Sequence, residues 1–199
     1  MSVHMDKMPT ALERALERVE KLGKASPEEL KQSKYAEEGQ RLAARYLKGE
    51  LNLRAELNKY DDEIKAWLIQ GIQEILIRNI ELPSDDVSKQ QNRLAMEGLK
   101  VIKRDPGAVE NVFSKMRQIF SHYTGQGELQ RKEAFENLKR EIQVKLTQAM
   151  QQQGMPPVAI QHVEANPQFQ MEWHKVQAQL DSQYDLHMKE YKEQLTAIP

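Results

Sequence analysis

Cysteine is missing from all 199 residues. That gap excludes disulfides, thiolate zinc sites, iron–sulfur clusters and a cysteine nucleophile, and it suits a reducing compartment. Backbone breakers are scarce, with nine glycines and eight prolines, and aromatic residues are only 6%. An excess of charge of either sign is also lacking: 29 lysines and arginines face 30 acidic residues, for a formal net charge of −1. Such a balance gives no electrostatic reason to expect nucleic acid or an anionic membrane as partner. Long apolar runs are absent too. The greasiest stretch, "WLIQGIQEILIRNIELP" at 67–83, is too short to span a bilayer and is interrupted by Gln70, Gln73, Glu74 and Arg78. "MSVHMDKMPT" at the start has no apolar segment of the kind a signal peptide needs. The expectation is a soluble, cytoplasmic protein.

What is present is helix-forming composition, rich in Glu, Lys, Leu, Gln and Ala, and clear punctuation. Thr10 with Glu13 forms a capping box ahead of Leu12, Ala15, Leu16, Val19 and Leu22, predicting a short helix that stops at Gly23. Ser26, Pro27 and Glu29 mark a second start, running to Lys48 before Gly49. A third helical region covers 50–81, with a break at "KYDDE" where Asp61 or Asp62 can cap a new start, and Pro83 ends it. Ser84 opens a fourth helix to Lys103, and Asp105–Pro106 a fifth. "TGQG" is expected to separate the fifth from a sixth over 128–153. "GMPPVAIQHVEANP" reads as an irregular connector with room for one helical turn, and Asn166–Pro167 starts a last helix reaching Thr196.

Two of these helices carry most of the information. In the third, Ile64, Leu68, Ile72, Ile75 and Leu76 form one stripe, widened by Trp67, Gly71 and Ile80. An apolar arc that broad implies neighbours on more than one side, and Gly71 offers a notch for a backbone or for the Trp67 indole. In the last, Phe169, Trp173, Val176, Leu180, Tyr184, His187, Tyr191 and Leu195 recur with an eleven-residue period, which predicts a nearly straight helix about 45 Å long. A faint similarity at an offset of 78 residues pairs Gly49-Glu50-Leu51 with Gly127-Glu128-Leu129 and Glu63-Ile64 with Glu141-Ile142, suggesting two similar three-helix halves.

Reactive chemistry is harder to find. None of His4, His122, His162, His174 and His187 has an acidic residue three positions before it, as a di-iron bundle would need. The i, i+2 spacing of Glu172 with His174 and of Asp185 with His187 splays those side chains around a helix. Asp61-Asp62 and Asp85-Asp86 lie where helices begin, where carboxylates are favoured by unpaired N–H groups. Ser121 and His122 are adjacent in a helix and diverge. No phosphate-binding glycine loop or dinucleotide fingerprint occurs. No catalytic residue, metal or cofactor is therefore expected.

The sequence thus predicts an all-α fold, an elongated antiparallel bundle of about seven helices. Its parts are an N-terminal arm with a short docking helix (1–25), a first helical half (26–104) and a second half with a long C-terminal helix (105–199), together one domain. Its expected role is non-enzymatic, through helix-mediated assembly as a homo-oligomer, adaptor or scaffold. Partners are then other copies or another helical protein, not nucleic acid or membrane. Tyr184, His187, Tyr191 and Leu195 are the candidate contacts. The alternative is a small-molecule-binding or regulatory bundle with an apolar pocket lined by the helix at 64–80.

Overall fold

Helix starts in this chain are chemically marked, and the computed structural model, which describes residues 26–154 and 162–199, places them where capping side chains stand. Helix α1 (Pro27–Leu47) begins at a complete capping box: the Glu29 N–H donates to Ser26 Oγ at 3.1 Å, and the Ser26 N–H donates to Glu29 Oε2 at 2.6 Å. It stops before Gly49, whose φ of +76° is open to glycine at no steric cost. A five-residue helix, α2 (Leu53–Leu57), is capped by Asn52, and α3 (Asp62–Arg78) by Asp61. Helix α4 (Asp86–Ile102) is capped by Asp85, one residue beyond Ser84. Asp105 and Pro106 start α5 (Pro106–His122); Asn166 and Pro167 start α7 (Pro167–Ala197). A single 3-10 turn at Val163–Ala165 lies in the connector before α7. The short helix expected over 10–23 lies outside the described residues.

Two boundaries differ from the sequence reading. Helix α3 ends at Arg78, five residues before Pro83, because the chain after it has another partner. Buried Asn92 accepts the Glu81 N–H at 2.9 Å and donates to the Glu81 carbonyl at 2.7 Å, so that strand of backbone is satisfied without helix. The second difference is larger. "TGQG" does not separate two helices. Tyr123–Gly127 forms a π-helical segment that runs directly into α6 (Glu128–Gln152). The chain is helical from Pro106 to Gln152, about 70 Å at 1.5 Å per residue.

The main core is built by α1, the short α2 through Leu53 and Leu57, α3, α4, α5 and the end of α7. Leu42, Ala43, Leu68, Ile72, Leu76, Leu99, Val109, Phe113, Met116 and Leu195 are nearly or wholly enclosed in it, and Ile75 packs half-buried against it. Its densest contact is between α1 and α3. A Cβ at Gly71 would overlap the Ala36 carbonyl oxygen and stand 2.8 Å from its carbon; one at Gly39 would stand 2.9 Å from the Leu68 carbonyl carbon. The notch in α3 thus receives the α1 backbone, and Trp67 stacks beside it on Tyr35 at 5.9 Å. Further along both helices, Tyr46 and Leu76 converge on Gly98 of α4, so α1 and α3 run in the same direction. The α2 connector carries the chain back between them, while α4 runs antiparallel to α3 and α5 antiparallel to α4.

A second, smaller cluster sits away from the first. Ile142, Val163 and Phe169 are buried there, with Phe135, Leu138, Leu146 and Trp173 half-buried around them. It belongs to a hairpin of α6 and the first half of α7. Helix α7 has one end in each cluster and is unbroken between them. The residues matched by the 78-residue offset occupy unlike places: Gly49 lies in a left-handed turn and Gly127 in a helix, Ile64 near a helix start and Ile142 mid-helix. No helix among the described residues is long and apolar enough to cross a membrane.

Candidate functional site

The richest polar chemistry gathers where the long helix widens. Two glycines within five residues each cost a helix about 1 kcal/mol, and the chain stays helical because side chains take up the loosened backbone. Thr124 Oγ1 donates to the Phe120 carbonyl at 2.9 Å, and Arg131 Nη2 donates to the Tyr123 carbonyl at 3.0 Å. Gly127 has no side chain where Tyr184 of α7 sits; a Cβ there would meet Tyr184 Oη at 2.7 Å. Such π segments are frequent at functional sites.

Around this hinge the groups are closely matched. Tyr184 Oη and His122 Nδ1 share a hydrogen bond of 2.7 Å, and the Tyr184 ring meets Tyr123 edge-on at 5.1 Å. The Arg131 guanidinium lies 3.9 Å from the Tyr123 ring centre while Nη1 donates to Asp181 at 3.3 Å. Burial raises the Tyr123 phenol above its usual range, and the nearby Asp181 carboxylate adds to that. Cation, carboxylate and rings are thus turned on one another. Arg131 spends its donors on a carbonyl and a carboxylate, which makes the cluster a clamp between α6 and α7. An open cleft of about 590 Å³ adjoins it, with Ser84, Lys89, Thr124, Glu128 and Gln177 on its walls. Lys89 is held there by Asp86 at 2.9 Å.

Of the four side chains expected to meet a partner, the structure scatters the set. Tyr184 is in the clamp. His187 is exposed, stacked on Tyr191 at 6.4 Å with Nδ1 3.4 Å from Glu190. Tyr191 is half-buried against the main core, and Leu195 is wholly enclosed in it. Leu195 is therefore a core residue of the monomer, not a surface one. The reason is that the end of α7 folds back onto the bundle, where Gln73 Nε2 donates to the Thr196 carbonyl at 3.3 Å and Lys103 Nζ donates to that of Ile198. Tyr123, Arg131 and Asp181 escaped the sequence reading as site residues, and His122 was weighed there only as a metal ligand and as a neighbour of Ser121. Arg131 and Asp181 lie on different helices fifty positions apart, and the one local signal was the glycine pair inside helical sequence.

Helix α3 contributes to an open groove rather than to a chamber at its polar edge. Its apolar side is covered by α1, α4 and α7, and the groove along Gln70, Gln73, Glu74, Ile77, Arg78 and Thr196 is open and about 330 Å³.

Exposed apolar side chains stand at Leu30, Val87 and Leu186 and, as a group, on the hairpin. Leu129 and Val144 on α6 are 63% and 55% exposed, and Met171 on α7 is 61% exposed. Among the described residues, the aromatic cluster beneath them is made only by α6, the 3-10 turn and the start of α7. A family model matches residues 54–197, from α2 to the end of α7. The chain belongs to a family of unknown function, DUF6657. The DUF6657 match takes in the clamp, the hairpin and Gly71, and leaves Gly39 and α1 outside. No curated protein and no solved structure matches the chain.

Proposed function

We propose that this protein works without catalysis, through helix-mediated assembly as a scaffold, adaptor or self-associating unit. We place its work in the cytoplasm, the reducing setting that a cysteine-free chain suits. The observation that carries the reading is the hairpin of α6 and the first half of α7. Two helices facing each other bury one side each, and among the described residues that burial amounts to Ile142, Val163 and Phe169, with Phe135 and Trp173 half-covered. A two-helix layer with so thin a core gains stability from a further helical layer. The clamp at Arg131 and Tyr184 fits the same role, since it fixes the angle at which the hairpin leaves the bundle.

The test is sedimentation velocity of the full chain from micromolar to near-millimolar concentration, with native mass spectrometry of the protein purified from its own cytosol. Concentration-dependent association, or a bound protein partner that is lost when Phe135 and Trp173 are replaced by polar residues, is the expected result. A chain that stays monomeric and partner-free in both measurements defeats the proposal.

A further inference from the structure

The outward side of α6 is complementary to itself read backwards. Phe135, Leu138, Ile142 and Leu146 point into the hairpin, so at 100° per residue the opposite face centres between Glu136 and Asn137. Counting outward from that midpoint, Glu133 mirrors Arg140, and both lie within about 30° of the centre of that face. Leu129 mirrors Val144 at the two ends, within about 45° of that centre. All of these side chains are exposed. No pair sets like charge against like. Among the described residues, Lys132, Glu133 and Glu136 have no ionic partner within the chain, whereas Glu141 is held by Lys145 at 2.6 Å.

We propose that α6 pairs antiparallel with α6 of a second copy about that midpoint, which deepens the assembly reading above and rests on it. In a two-fold pairing a residue near the centre of the face meets its mirror on the other chain, so each of these contacts is made twice. Glu133 and Arg140 lie nearest the centre of the shared face, and set register and direction. Leu129 and Val144 close over each other at both ends and supply the apolar burial. Two hairpins then form a four-helix layer. The contact is mostly polar and narrower than an obligate interface, so the association is reversible.

The test is charge reversal in the full chain, read as the dimer dissociation constant by sedimentation, with helical circular dichroism to verify folding. Glu133→Arg and Arg140→Glu should each weaken the dimer roughly tenfold or more, because each creates two like-charge contacts. The double variant should recover affinity. Native cysteine is absent, so single-cysteine cross-linking is unambiguous. Asn137→Cys beside the axis should form a disulfide dimer under mild oxidation, and Gln148→Cys, about 35 Å from its mate along the helices, should not. A dimer indifferent to both single reversals, or a double variant that fails to recover, overturns the pairing and leaves helix-mediated assembly standing. A monomer at every concentration overturns the pairing as well, and the broader reading falls with it only if the native protein also carries no partner.

Discussion

Alanine at Gly71 should destabilise this protein, although alanine is the better helix former. In an open helix the substitution stabilises by about 1 kcal/mol. Here the added carbon would stand 2.8 Å from the Ala36 carbonyl carbon and 3.0 Å from the Gln40 nitrogen, both backbone atoms of α1. Neither can rotate away. Reaching an ordinary carbon–carbon contact of about 3.5 Å requires the crossing to open by roughly 1 Å, a gap that forfeits a quarter to a half of each dispersion contact it widens. Leu68, Ile72, Leu42 and Ala43 flank the crossing and are nearly or wholly buried, so the loss is shared by the tightest part of the core. Overpacking of this kind costs about 1–3 kcal/mol and sometimes more. With rigid backbone on the receiving side the cost lies in the upper half of that range, so a net loss of roughly 1–2 kcal/mol is expected after the propensity gain, a drop of roughly 2–8 °C in melting temperature for a chain of this size. Urea and thermal unfolding followed by circular dichroism measure it. Gly125→Ala, with open space around it, is the control and should be neutral or stabilising. A Gly71→Ala protein that melts at or above the wild-type temperature would refute the close backbone crossing.

Other outcomes follow from the same physics. Ile72→Ala, at a fully buried position, should cost roughly 2–5 kcal/mol in a urea melt; a cost under about 1 kcal/mol would mean the stripe is not core. Asn92→Leu removes both hydrogen bonds to the Glu81 backbone and should cost roughly 1–3 kcal/mol, with amide exchange at residues 79–85 speeding up first. Burial lowers the Lys103 ammonium below its ordinary value of 10.5, so the unfolded chain holds that proton to higher pH than the folded one. Wild type should therefore gain stability relative to Lys103→Met as pH rises from the lowered value towards 10.5, and parallel pH profiles of the two proteins would contradict this. Arg131→Met should loosen the clamp, raising exchange in residues 123–127 while leaving the main core protected.

Local chemistry was legible in the sequence wherever a side chain acts on its own backbone. Ser26 with Glu29, Asp61, Asp105 with Pro106, and Asn166 with Pro167 all start helices as their residue types dictate, because capping is settled within four residues. The stripe through Leu68 and Ile72 was legible as core for a similar reason, since periodicity alone fixes which face is apolar. The continuity of α5 into α6 was not. Glycine's local preference says stop at "TGQG", and the opposing terms come from Arg131 and from Tyr184 on a helix sixty residues away. The misplacement of Leu195 has the same origin. Its spacing marked it as apolar and facing inward, but which body it faced depended on α7 turning back along the bundle. Gly39 gave no signal either, as a lone glycine in a helix reads as a weakness until its partner, the Leu68 backbone, is known.

The unbroken helix from Pro106 to Gln152 has a mechanical consequence. A rod seated at one end in the bundle and braced along its length by α7 behaves as a ruler, so the far tip is held at a set reach from the body. If two copies lay α6 side by side in opposite directions, their bodies come to rest at opposite ends of the pair, with the spacing dictated by helical rise. Adding or deleting residues between Gly127 and the pairing face would change that spacing by about 3 Å each, about 1.5 Å from each copy, and swing the face by about 100°, so only insertions near whole turns would preserve the assembly.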